Sequence, residues 1–458
     1  MSDGPDRLHA IDLAWLELQG DGPPIAIGTV AVVEGPVPTD EEVLALLSER
    51  LDRMPRLHQE LTAPGAGVRR QAWVDAPGLD LRAHVRRWDA SSGPGLDAAV
   101  AHVMEQPLPR DQPLWDAWII DGLGHRWALV WRVHHTIADG LGTLLLLGHA
   151  FDLAPGSGPT MADSLLAVVG PRPATEAPGP PVEARAAPPV DVGRLLGALR
   201  AVVPQVVPAL ADVLPRPPSS LTGPVGPRRV WVSVDIPLPQ VKATGRALGA
   251  TVNEVVLASV AGGFRDLVAH RGEPVAGRVV RNLVPVSLRA PRDGTSHNQL
   301  SALLGHLPIG VADPVDRLRA VQAGLDHGRG TGQPVVASML LGLADRAVPA
   351  GVQDVVMGSV GRVLPAWFFD TLTTNVPGPQ FPVFLLGRRV RAMYPLIPVA
   401  AHTAITTGIF SYDGTLNVSV TGDGDLAADI EILAEGIGRA AADLAARVRG
   451  TARQTEPG

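Results

Sequence analysis

The sequence predicts an α/β protein of the α+β kind built from two domains, on three observations. The chain has 458 residues, enough for two or three domains at roughly 100–200 residues each. Strand-like alternation and amphipathic helical stretches interleave on both sides of its middle. Between them lies residues 154–228, dense in proline (PRPATEAPGPPVEARAAPPV), which cannot hold regular structure for long. The expected division is 1–153, a connection at 154–228, and 229–458.

The elements follow in order. Ala26–Val33 and Trp127–Val133 are β-rich runs ended by turn or polar residues. Thr39 followed by Asp-Glu-Glu is an N-cap with acids in the first turn, leading a helix with Val43, Leu44, Leu46 and Leu47. A leucine-rich helix is expected from Gly142 to His149. Within the connection, Val192–Leu214 reads as a helical hairpin broken at Pro204 and Pro208. Beyond it, Arg229–Ile236 alternates as a strand, and Thr251-Val-Asn-Glu opens a helix running to about His270. Strands at Val279–Val286 and Leu303–Ile309 and a helix from Pro314 to His327 come next. The chain closes with strands Ile405–Tyr412 and Leu416–Thr421 and a helix Asp429–Val448. There is no internal repeat.

Composition removes several chemistries. A hydrophobic share of 46% supplies a large core. A net charge of −7 speaks against general nucleic-acid binding. Lys242 is the only lysine, and no Gly-Lys-Ser/Thr step exists to cradle a phosphate. Without cysteine there are no disulfides, thiolate nucleophiles or iron–sulfur clusters. The acidic start lacks an apolar signal core, and the uncharged window Ala392–Tyr412 reads as strands and loop rather than a membrane span. The protein is expected to be soluble or peripherally attached, and intracellular.

The sharpest feature is His134-His135-Thr136-Ile137-Ala138-Asp139-Gly140, between an expected strand and an expected helix. Adjacent histidines at a strand end point to opposite faces, so at most one faces a given pocket. Asp139 and Gly140 would turn the chain into the helix, with Gly140 allowing close backbone approach. Two plainer readings stand beside this: histidines that merely end a strand, or a metal site at His135 and Asp139, for which no third ligand cluster is evident. Imidazole near its operating pH is the natural base for taking a hydroxyl proton in acyl transfer. With neither cysteine nor a G-x-S-x-G elbow, direct transfer is favoured over an acyl-enzyme. The run Gly422-Asp-Gly424-Asp-Leu-Ala427 imitates a dinucleotide fingerprint, but its two aspartates would repel a pyrophosphate; a capped turn is expected there. Trp15, Trp115, Trp118, Trp127 and Trp131 are expected in the core rather than as a stacking platform.

The heptapeptide resembles the active-site motif of the superfamily that includes chloramphenicol acetyltransferase and peptide-synthetase condensation domains. Other stretches narrow the likeness to the bacterial wax ester synthase/diacylglycerol acyltransferase family: LHAIDLAWLELQ near the start, PLPRDQPLWDAWIIDGL at 107–123, TVNEVVLASVAGGFR at 251–265 and LVPVSLR at 283–289. HNQLSALLGHLPIG at 297–310, TNVPGPQFPVFLLGRRV at 374–390 and FSYDGTLNVSV at 410–420 continue in the family's order. The resemblance covers everything except the proline-rich connection.

The resemblance implies two chloramphenicol-acetyltransferase-like lobes, each a mixed sheet flanked by helices, with a tunnel at their interface. It implies acyl-CoA as co-substrate with no permanently bound cofactor or metal, and diacylglycerol or a long-chain alcohol as acceptor. The protein would be cytoplasmic, meeting a membrane or lipid-droplet surface peripherally. His135 would be the base, His134 a support for the site, and Asp139 a structural acid paired with an arginine of the second domain, for which Arg289 is the match. Asn253, in the first turn of its helix, and Asn375, before Pro377-Gly378-Pro379, would be supporting donors near a developing oxyanion; capping and turn formation is the equal alternative for both. One departure is Asn253-Glu254 where the family usually has Asn-Asp. An extra methylene would loosen a short hydrogen bond made by that acid. The rival functions are a natural-product or carrier-dependent, condensation-like acyltransferase and a lipid-binding relative with little turnover.

Overall fold

The structure is a computed structural model. It describes residues 6–8, 12, 15–16, 19, 25–63, 71–91, 93, 95–156, 158–169, 219–287, 300–330, 369–399 and 402–455. The expected hairpin Val192–Leu214 and the candidate Arg289 lie outside the described residues.

The first part of the chain supplies β1 (Asp6–Arg7), β2 (Ala26–Glu34), β3 (Gln59–Leu61), β4 (Ala72–Asp75), β5 (Val85–Asp89), β6 (Trp115–Asp121) and β7 (Arg126–His134). The second supplies β8 (Arg229–Pro237), β9 (Val280–Ser287), β10 (Leu300–Leu307) and β11 (Thr371–Pro377). It ends with β12 (Phe384–Leu385), β13 (Arg388–Leu396), β14 (Ile405–Tyr412) and β15 (Thr415–Asp423). Two six-stranded sheets form the lobes, ordered β12-β13-β2-β7-β6-β5 and β10-β9-β11-β14-β15-β8. Both are mixed: β5 runs parallel to β6 in the first, and β11 parallel to β9 and β14 in the second. β1, β4 and β3 make a small antiparallel sheet.

Alternation on β7 sets the layers of the first lobe. Trp127, Leu129, Trp131 and Val133 enter one core with helix Asp40–Arg50, while Ala128 and Val130 face helix Leu96–Glu105. The Thr39 cap is present as a full capping box with Glu42. In the second lobe, helices Leu238–Leu248, Val252–His270, Pro314–Gly330 and Ile430–Thr455 cover one sheet face over an aliphatic core. Helices Val252–His270 and Ile430–Thr455 touch through glycine: a Cβ on Gly263 would stand 2.6 Å from the Leu433 carbonyl oxygen. The Gly422 run is the expected turn, with Asp423 Oδ1 accepting from the amides of Asp425 and Leu426.

The expected boundary at residue 229 does not separate the sheets. β12 and β13 lie beyond it yet complete the first sheet, with β13 antiparallel to β2 from Val390↔Val33 to Leu396↔Gly28. Without β13, the edge of β2 would leave its amides and carbonyls unpaired over a buried strand. β13 has apolar side chains for both faces: Val390 and Met393 enter one core, Ala392, Tyr394 and Leu396 the other. It also ties the lobes together. Tyr394 donates its hydroxyl to Asp235 of β8 (3.0 Å), Asn417 Oδ1 of β15 accepts from the Met393 amide (3.2 Å), and the Tyr412 hydroxyl of β14 donates to the Val390 carbonyl (2.9 Å).

Candidate active site

The two histidines stand where β7 ends, and the backbone fixes the turn that follows. The His134 amide donates to Leu114 O, the His135 amide to Ile25 O beside β2, and the Ile137 amide to His134 O. Below them Arg132 is fully buried in a two-pronged pair with Asp116 (2.7 and 2.8 Å), and a third N–H reaches the Gln106 carbonyl. Every prong of that buried guanidinium bond is charge-assisted, so this stretch of β7 is rigid.

His134 is 2% exposed. Its Nδ1 accepts from the Thr136 amide (3.2 Å) and lies 2.9 Å from the Thr136 hydroxyl, so Nε2 is left to donate to Gln19 Oε1 at 2.8 Å. Burial pushes its pKa down to about 3, with His135 and Arg110 adding in the same direction. Both nitrogens are committed and the ring is neutral: His134 braces the turn.

His135 lies flat against Trp15, ring centroids 4.2 Å apart and planes 19° from parallel. Burial lowers its pKa to about 4, against the opposing pull of its own backbone carbonyl and the Asp139 carboxylate. The ring is half-buried, and that partial loss of water favours its neutral form.

Asp139 is buried and caps helix Gly140–Gly148, its Oδ1 accepting from the Gly142 amide at 2.6 Å. Gly140 is exposed, and beyond its chain neighbours and its own helix no described atom lies within 4 Å of where its Cβ would stand. The close backbone approach expected there is not made by any described residue. Among the described residues no group of three His, Asp or Glu could hold a metal.

The structure brings Asn253 and Asn375 together: Asn375 Nδ2 donates to Asn253 Oδ1 at 3.1 Å, joining β11 to helix Val252–His270. The loop after Asn375 is tight, since a Cβ on Gly378 would sit 2.2 Å from the Phe410 ring. Glu254 turns back to its own helix start. Its carboxylate accepts from the Thr251 amide (2.9 Å) and from Gln322 Nε2 (3.2 Å), while its amide donates to the Thr251 hydroxyl. That is a capping box, for which glutamate at the third position has the reach.

The model for the wax ester synthase/diacylglycerol acyltransferase catalytic domain matches residues 8–256, and that for the family's C-terminal domain matches residues 296–445. The chain belongs to the wax ester synthase/diacylglycerol acyltransferase family. It is an O-acyltransferase of that family. A Mycobacterium tuberculosis H37Rv protein named as a probable diacylglycerol O-acyltransferase is 33% identical over 435 residues, 92% of this chain and 91% of that protein. In fold, this acyltransferase is similar to the wax ester synthase/diacylglycerol acyltransferase from Marinobacter aquaeolei VT8, with a TM-score of 0.68 at 20% identity, covering 97% of this chain and 100% of that one. The first condensation domain of the calcium-dependent antibiotic synthetase shares the architecture at a TM-score of 0.57 and 19% identity, over 97% of each chain. The expected two-lobed fold is therefore the one observed.

Two residues of this acyltransferase's site escaped the sequence reading. Trp15 was expected in the core with the other tryptophans. Trp115, Trp127 and Trp131 are there, fully buried, and Trp118 nearly so, but Trp15 is half-buried on the His135 ring. Gln19 carried no signal of its own. The one available clue was spacing: Asp12, Trp15, Leu16 and Gln19 are all helical and share one face.

Proposed function

We propose that this protein moves a long-chain acyl group from acyl-CoA to diacylglycerol, forming triacylglycerol, or to a long-chain alcohol, forming a wax ester. Acyl-CoA enters as a substrate and not as a resident cofactor. The observation that carries the proposal is a neutral, half-buried His135 on the turn after β7, with its partner ring His134 fully occupied in bracing. His135 takes the hydroxyl proton as the acceptor oxygen bonds to the thioester carbonyl carbon. The tetrahedral intermediate then expels the CoA thiolate by breaking the carbon–sulfur bond, and the thiolate recovers the proton from the imidazolium. The Asn253–Asn375 pair is proposed to stand near the developing oxyanion, and the substrates to meet in a tunnel between the lobes.

No single described helix is long and apolar enough to cross a membrane. The protein is proposed to work in the cytoplasm and to reach oily acceptors by apolar adsorption to a membrane or lipid droplet, since a net charge of −7 offers no general attraction to anionic lipid. Incubating purified protein with a long-chain acyl-CoA and either diacylglycerol or hexadecanol, with thiol detection of CoA and analysis of the lipid product, tests this. CoA release without lipid product points to another acceptor; lipid binding without release removes the enzymatic reading.

A further inference from the structure

We infer that Trp15 is a positioning residue for His135, holding the imidazole by its face and stabilising the imidazolium that forms when the ring takes the acceptor's proton. The inference rests on the reading of His135 as the base. The rings lie 4.2 Å apart and 19° from parallel, so the cation would form directly over the indole π face. Trp15 Nε1 is buried without an acceptor among the described residues, so it is the ring's faces, and not a hydrogen bond, that serve here.

Trp15 is itself held. One turn on, Gln19 Oε1 accepts from His134 Nε2 and from the Ile25 amide, while Leu16 and Asp12 of the same face are buried. One helical face thus engages both histidines of the motif: Gln19 locks the bracing ring, and Trp15 lies on the reacting one. The charged and titratable groups acting on these rings are few. Asp139 favours a cation at His135, while Arg110 and the rings' mutual effect act against one at His134. A cation formed at His135 therefore draws on two attractive partners, the Asp139 carboxylate and the indole face.

The test compares Trp15→Leu, which keeps apolar bulk without a π face, with Trp15→Phe, which keeps a smaller one. Turnover number and KM for acyl-CoA are measured for both beside His135→Ala, with thermal melting as the check on folding. The His135 ring-proton resonances are recorded in selectively labelled protein. The indole ring current should vanish in Trp15→Leu and move those resonances downfield. In that variant kcat should fall roughly threefold to thirtyfold with KM little changed, the range expected for losing a cation over an aromatic face. Trp15→Phe should recover most of it. Unchanged kcat in Trp15→Leu, or equal losses in the Leu and Phe variants, overturns the role of Trp15. Turnover persisting in His135→Ala instead overturns the reading of His135, and the ring-current measurement still reports on the stack.

Discussion

The two lobes share an architecture and fill it with different material. The first-lobe core is built on Trp73, Trp115, Trp127, Trp131 and Phe151, and takes in Phe410 and Tyr412 from the second-lobe sheet. The second-lobe core is valine, leucine, isoleucine and alanine with Phe264. Burial lowers the pKa of the first lobe's stacked imidazoles, while the aromatic face beneath each ring favours its cation. Besides Trp15 and His135, His84 stacks on Trp115 and donates to its carbonyl, and His102 stacks on Trp88. The second lobe gains rigidity by contact at glycine distances between its two long helices. We propose that the aromatic lobe supplies the base and the aliphatic one the supporting Asn253–Asn375 pair.

If that division holds, the largest loss of turnover comes from the first lobe. His135→Ala should reduce kcat by roughly 10²–10⁴-fold, the usual worth of a general base, with the melting transition retained. Steady-state kinetics with a saturating acyl-CoA check it. A residual rate within tenfold of the parent would move the base elsewhere.

Next comes the Asp139 carboxylate, proposed to pair with Arg289 across the lobes. Asp139 is 8% exposed and caps its helix. If Arg289 pairs with it, removing either side should cost roughly 3–5 kcal/mol in denaturant unfolding. The double variant should then lose far less than the sum of the singles. Asp139→Asn sharpens the point, because asparagine keeps the cap and loses the charge. Strictly additive losses would leave Asp139 as a cap alone.

A break placed in the second lobe should behave differently. Gly263→Ala puts a methyl group 2.6 Å from the Leu433 carbonyl and 2.7 Å from the Ile437 side chain, so two helices must part. Overpacking of this kind costs roughly 1–3 kcal/mol. Stability should fall while kcat per folded molecule stays within about twofold of the parent. A selective collapse of kcat would show that helix Val252–His270 sets the reacting geometry.

Acid tests the histidines together. His135 and His134 have folded pKa values of about 4 and about 3, both below the ordinary 6.5. The unfolded chain therefore binds more protons in this range, and stability rises with pH there. It should be complete above about pH 6.5 and fall steadily as pH drops through about 4. Melting temperatures measured between pH 7 and 4.5 should decline less steeply in His134→Gln.

Much of this was legible in the sequence because it is local. The two capping boxes, at Thr39 and Thr251, are read from four residues each, and β7 from its β-rich run. The histidine motif is likewise contiguous. What stayed hidden depends on distant partners. β13 is a short mixed run whose place in the first sheet is decided by the open edge of β2, more than 350 residues earlier by the numbering. The helix Leu96–Glu105 follows Gly95, whose positive φ of 85° makes a non-standard start without a capping side chain. Trp15 looked like any buried tryptophan until the fold laid it on His135. The Asn253–Asn375 contact needs two elements 122 positions apart.

The smallest expected effect concerns Glu254. Its carboxylate reaches back to the Thr251 amide and receives Gln322, so the longer side chain is fitted to the helix start rather than to the reacting atoms. Aspartate is one methylene shorter and would reach the Thr251 amide poorly, though the Thr251 hydroxyl would still accept from the amide of residue 254. Glu254→Asp should therefore cost only about 0.5–1 kcal/mol, a fraction of a helix cap, and leave kcat and KM within about twofold. The neighbouring Asn253 gives the contrast, since Asn253→Ala removes the bond to Asn375 and should lower kcat more than stability. An increase in turnover on changing Glu254 to aspartate would mean that this acid reaches the reacting groups, and that the aliphatic lobe takes part in the chemistry assigned to its aromatic partner.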